Sequence, residues 1–147
     1  MFAVPALTQL ADDPRFRIVG VITHPDQPVG RTPTLTPTPI KAVAASLGLP
    51  VFAFSSIKDD EAFHHLATIV ADVGVVASYG QIIPARVLAL PTHGCLNIHA
   101  SLLPAYRGAS PIAAALLHGD KQTGVTIIKM DALMDHGPIV AMMDEII

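Results

Sequence analysis

The apolar residues of this chain fall into short, unbroken blocks. Residues 17–23 run Arg-Ile-Val-Gly-Val-Ile-Thr and close on His24-Pro25-Asp26, a turn signal. Residues 50–54, 73–78, 95–99, 125–130 and 139–143 form five more blocks. Each has the length of a strand. The run Val73-Gly74-Val75-Val76 shows no polar alternation, which suits a strand covered on both faces of a mostly parallel sheet.

Helical spacing occurs between these blocks. Thr38-Pro39 reads as an N-cap followed by a first-turn proline. Ile40, Val43, Ala44 and Leu47 then repeat at intervals of three and four, and Gly48 ends the segment. Ser56 and Asp59 have the spacing of a capping box, ahead of Phe63, Leu66, Ala67 and Val70 at helical intervals. Ser110-Pro111 opens a third helix that runs through Leu117 and stops at Gly119. Residues 3–11 predict an amphipathic helix at the start, and residues 32–39, rich in Thr and Pro, predict an extended loop. Strands alternating with helices give an α/β, doubly wound fold. Such folds usually open on a central strand, yet only Met1 and Phe2 precede the first helix here.

Composition narrows the function classes. The chain has 147 residues, enough for one domain or part of one, and 51% are apolar against 14% charged, so a packed core is expected. The net charge of −3 leaves no basic surplus to coat nucleic acid by charge alone. No apolar run reaches the roughly 18–20 residues of a membrane span, and we expect no membrane partner. The single cysteine excludes an internal disulfide and fits a reducing, cytoplasmic compartment. Cys95 sits inside an apolar block and reads as core, not nucleophile.

The chemistry concentrates after residue 96. Asn97 and His99 are two apart on one strand, so their side chains share a face. They lie at the strand's C-terminal end, where open α/β sheets place their sites. An asparagine can donate to a developing oxyanion, and a histidine can relay a proton near neutral pH. The loop between the fifth and sixth blocks leaves the sheet at the same edge and carries Asp131 and Asp135. Either carboxylate could orient His99, and residue type alone does not choose between them. His93, His99 and His136 match no compact metal motif, so no metal is expected.

Asn97-Ile98-His99, followed by Ser101-Leu102-Leu103-Pro104, Arg107-Gly108 and Pro111-Ile112, resembles the 10-formyltetrahydrofolate-dependent formyltransferases. The family pattern places a catalytic aspartate in a downstream Leu-Asp-x-Gly-type loop. That loop reads Met134-Asp135-His136-Gly137 here, with Met replacing Leu, so the resemblance selects Asp135. Residues 2–7, 25–31, 35–37 and 77–84 are similar to the branch whose acceptor is the amino group of initiator methionyl-tRNA. One departure is Thr32-Pro33-Thr34, where that branch usually carries lysines after Gly30-Arg31.

The resemblance implies a Rossmann-like α/β catalytic domain over residues 1–147. It also implies a first strand ahead of Phe2 and, in family members, a C-terminal β-barrel domain. It implies formyl transfer from 10-formyltetrahydrofolate, with Asn97, His99 and Asp135 catalytic and no metal. Ser101, Leu102, Leu103 and Pro104 would contact the folate, with Gln81-Ile82-Ile83 bordering it, and Arg31 would contact a phosphate of the acceptor. The implied protein is a cytoplasmic monomer whose partners are folate and initiator methionyl-tRNA. Arg107 reads equally as a ligand contact or an ion-pair partner. The same motif serves members that formylate amino-sugar nucleotides or glycinamide ribonucleotide, and a folate-binding fragment without turnover is an alternative of a different class.

Overall fold

A computed structural model describes residues 2–29 and 33–147. The chain divides into two compact units, one ending at Val70 and the other spanning Ala71–Ile147.

The first unit contains α1 (Ala3–Asp12), β1 (Val21–Thr23), β2 (Gln27–Val29), β3 (Thr34–Thr36), α2 (Pro39–Ser46), β4 (Val51–Ala53) and α3 (Asp60–Leu66). Strands β1 and β4 run parallel, with Val21 opposite Val51 and Ile22 opposite Phe52. Leu7 of α1, Val21 of β1 and Ala44 of α2 form the core, packed by Ile18, Ile40, Val43, Leu49 and Val51. The expected start of α2 is present: Thr38 Oγ1 accepts from the Lys41 amide at 3.3 Å, and Pro39 follows it. Gly48, just past the helix, has φ +66°, the left-handed conformation that glycine adopts without strain.

Three expectations change in this unit. Within residues 32–39, expected as an extended loop, Thr34–Thr36 instead pairs antiparallel with Gln27–Val29. The capping box at Ser56 and Asp59 does not form: Ser56 Oγ accepts from the Lys58 amide at 3.2 Å, and α3 begins at Asp60. A serine that turns back on its own loop offers the backbone an alternative to a helix cap. Helix α3 also ends at Leu66, so Val70 is not part of its apolar stripe and is 88% exposed.

The second unit contains β5 (Gly74–Val76), α4 (Ala85–Leu88), β6 (Cys95–His99), α5 (Pro111–His118), β7 (Gln122–Lys129) and β8 (Ile139–Ile146). Its strands form one sheet in the order β5-β6-β7-β8. Only β5 and β6 are parallel; β6–β7 and β7–β8 are antiparallel. The α/β class stands, but this sheet is mixed where a mostly parallel one was expected. The cause lies in β7, whose residues alternate, with Gly124, Thr126 and Ile128 buried. That two-residue period belongs to a strand with unlike faces, as antiparallel sheets tolerate. The expected cover on both faces of Val73–Val76 also fails, since Val73 and Val75 are exposed, as is every residue of β8 at the other end of this sheet. Helix α5 keeps both expected ends, with Pro111 in its first turn and Gly119 left-handed at φ +71°.

The loop between β7 and β8 turns back sharply at Gly137. A Cβ there would collide with the Lys129 carbonyl oxygen. Gly137→Ala should therefore displace this loop and destabilise the fold by roughly 1–3 kcal/mol. Thermal unfolding of the two chains checks this, and an unchanged midpoint would show that the loop gives way freely. Among the described residues, no helix is long and apolar enough to cross a membrane.

Candidate active site

The second unit brings Asn97, His99 and Asp135 together. Asn97 and His99 occupy the last part of β6, at the C-terminal end of the parallel β5–β6 pair. The 5-residue strand leaves His99 buried at its end. Asp135 sits in the β7–β8 loop with φ +46°. Aspartate is among the few residues that tolerate this region. The conformation turns its carboxylate toward β6. Asp135 Oδ1 accepts from Asn97 Nδ2 at 3.0 Å, and Oδ2 accepts from the Gly108 amide at 2.8 Å. His99 Nδ1 lies 3.6 Å from the same Oδ2.

These distances assign donors and acceptors. Two N–H groups point at Asp135, one to each oxygen, so both oxygens act as acceptors. His99 Nε2 lies 2.9 Å from the Tyr106 carbonyl oxygen. A carbonyl only accepts, so Nε2 carries a proton and donates it. Nδ1, at 3.6 Å from the carboxylate, is too far for a hydrogen bond yet close enough to feel its charge. That nitrogen is the one left to meet a substrate atom. Asn97 uses one amide hydrogen on Asp135 and keeps its second.

Asp131 is placed differently. Its Oδ1 accepts from the Leu133 amide at 2.8 Å, and its Oδ2 pairs with His136 Nδ1 at 3.0 Å. The His136 contact, then the Leu133 amide, holds its carboxyl below the usual carboxylate range. It makes a turn and an exposed ion pair, away from His99.

The loop after β6 takes its shape from buried hydroxyls. Ser101 is fully buried and donates to the Ala105 carbonyl at 2.6 Å. Thr126 of β7, also fully buried, donates to the Ser101 carbonyl at 2.6 Å and accepts from the Leu103 amide at 3.1 Å. The bond between Leu103 and Pro104 is cis. Leu103, Pro104, Arg107, Asp135, Gly137 and Ile139 line a cavity of about 240 Å³, and of the trio only Asp135 borders it. Of the expected folate contacts, Leu103 and Pro104 therefore border this cavity. Ser101 is committed to the loop backbone, and Leu102 packs toward Gly124 of β7. Arg107 is exposed and makes no ion pair among the described residues. Arg31 lies outside the described residues. Burial pushes the Cys95 thiol up, in keeping with a core role.

Sequence reasoning missed Thr126, the Gly108 amide and the Tyr106 carbonyl. Thr126 did leave a signal, as a hydroxyl in the apolar run Val125–Ile128. The two backbone groups left none. Thr126→Val removes both bonds of that hydroxyl and leaves a buried amide without its acceptor. We expect a loss of roughly 1–3 kcal/mol, read from thermal or denaturant unfolding. A variant as stable as the parent would show that the loop finds other partners.

A family model described as formyl transferase matches residues 3–146. The chain belongs to the formyl transferase family. Methionyl-tRNA formyltransferase from Roseiflexus sp. (strain RS-1) is 51% identical over 140 residues, which are 95% of this chain and 43% of that protein. The enzyme of the same name from Marinobacter nauticus is 50% identical over 97% of this chain and 46% of its own length. This formyl transferase chain thus spans less than half of those relatives. Among solved structures, phosphoribosylglycinamide formyltransferase from Bacillus halodurans superposes with a TM-score of 0.73 at 26% identity, covering 99% of this chain and 73% of that one.

Proposed function

We propose that this chain transfers a formyl group from 10-formyltetrahydrofolate to the amino group of initiator methionyl-tRNA. The observation that carries the chemistry is the convergence of Asn97 and His99 on Asp135, which borders a cavity. The identity of about half to proteins named methionyl-tRNA formyltransferase supports the choice of acceptor.

In this reading the attacking amine adds to the formyl carbonyl, and negative charge develops on its oxygen. The spare Asn97 amide hydrogen supplies a donor there, and a doubly protonated His99 would supply a second from Nδ1. One such donor contributes about 3–4 kcal/mol in comparable sites. Asp135 keeps His99 properly turned and draws the amine proton as the C–N bond forms. The formyl carbon then releases the folate nitrogen, which takes up a proton. Leu103 and Pro104 offer an apolar wall to the flat folate ring, while Asp135 faces the reacting end. Arg31 would contact an acceptor phosphate. The protein would act as a cytoplasmic monomer, with folate and methionyl-tRNA as its partners.

The test is to offer the chain 10-formyltetrahydrofolate with methionyl-tRNA, glycinamide ribonucleotide or an amino-sugar nucleotide in turn. Formylated methionyl-tRNA alone is the expected product. A product with another acceptor would overturn the tRNA assignment. Folate binding with no transfer to any acceptor would favour a binding fragment.

A further inference from the structure

We propose that Tyr106 and Asp120 form a latch that sets the orientation of His99, which makes both of them positioning residues. The proposal rests on the reading of His99 as a catalytic residue. The Tyr106 hydroxyl donates to Asp120 Oδ2 at 2.7 Å. Its ring packs against His118, with centroids 5.5 Å apart. Asp120 follows α5 after Gly119, and its own amide is tied to the Ala115 carbonyl at 3.1 Å. The anchor is therefore held by a helix end, outside the reacting centre.

The other end of Tyr106 reaches His99. Its carbonyl is the acceptor for His99 Nε2 at 2.9 Å. Tyr106 has φ +54°, an unfavourable conformation for a bulky aromatic residue. Such a backbone persists only where its surroundings over-determine it. Two bonds do so here, one from the carbonyl and one from the hydroxyl. The left-handed backbone aims the carbonyl at Nε2. If the hydroxyl bond is lost, Tyr106 can relax to negative φ, and its carbonyl turns away. Nε2 then has no fixed acceptor, the ring samples both tautomers, and Nδ1 no longer faces Asp135 and Asn97 in one state. Gly108, two residues on, gives its amide to Asp135, so the same loop would loosen both members of the pair.

The experiment uses the full 147-residue chain with ¹⁵N-labelled histidine. Long-range proton–nitrogen spectra report which nitrogen of each ring carries the proton, and a His99→Gln sample assigns the His99 signals. The parent should show His99 with a proton fixed on Nε2. Tyr106→Phe and Asp120→Ala should each shift His99 toward mixed tautomers. Each should also lower kcat for formyl transfer about tenfold, as a small misplacement of reacting groups does, with KM for the folate nearly unchanged. The double variant should lose no more than either single one, because both break one bond. Asp120→Asn keeps an acceptor oxygen and should restore both readouts, which guards against a folding defect in the other variants. An unchanged His99 spectrum in Tyr106→Phe and Asp120→Ala overturns the latch, as do multiplicative losses in the double variant. If the parent transfers no formyl group but the spectra shift as described, the latch stands and the assigned reaction falls.

Discussion

Replacing His99 with alanine should abolish formyl transfer while folate binding persists. The imidazole is buried, it is held by the Tyr106 carbonyl at 2.9 Å, and its Nδ1 faces the Asp135 carboxylate. On the proposed mechanism, alanine removes one oxyanion donor and the partner of Asp135. Positioned acid–base groups contribute about 10²- to 10⁴-fold, and a loss in that range is expected in single-turnover rates. The cavity walls at Leu103 and Pro104 are untouched by the change, so folate affinity, measured by titration calorimetry, should move little. Retention of more than about a tenth of parental turnover would remove His99 from the chemistry.

The second large effect is at Asp135. The Asn97 and Gly108 N–H groups converge on its two oxygens. An amide in its place has one oxygen and one NH₂ group, so one of those donors must face another donor. Asp135→Asn also removes the charge near His99. We expect turnover to fall by about 10²-fold or more. Asp131→Asn should leave turnover within about twofold, because Asp131 serves a turn and an exposed ion pair, which contribute little. Kinetics of the two variants side by side decide the matter, and equal losses would undo the choice between the aspartates.

These residues show how far the sequence could be read. The pairing of Asn97 with His99 followed from strand geometry, because a two-residue step keeps side chains on one face. The helix start at Thr38-Pro39 and the stops at Gly48 and Gly119 followed from local backbone chemistry. The strand directions did not follow. A short apolar block looks alike in parallel and antiparallel company, and direction is decided by which neighbour it meets. Choosing Asp135 over Asp131 required the family pattern, since both lie in one loop and only the folded turn aims one of them inward. Contacts made by main-chain atoms, such as the Tyr106 carbonyl on His99, carry no residue signature. They become visible only when the loop has a shape.

The left-handed backbone at Asp135 sets stability and chemistry against each other at one position. With φ at +46°, the residue that fits most comfortably there is glycine. Glycine would relieve the local backbone, yet it would leave Asn97 and the Gly108 amide without their shared acceptor and His99 without its counter-charge. A screen of this chain for heat resistance alone should therefore accept Asp135→Gly far more readily than a screen for turnover. On the proposed mechanism, the loop keeps its strained residue because the carboxylate accepts from Asn97 and Gly108, which glycine cannot do.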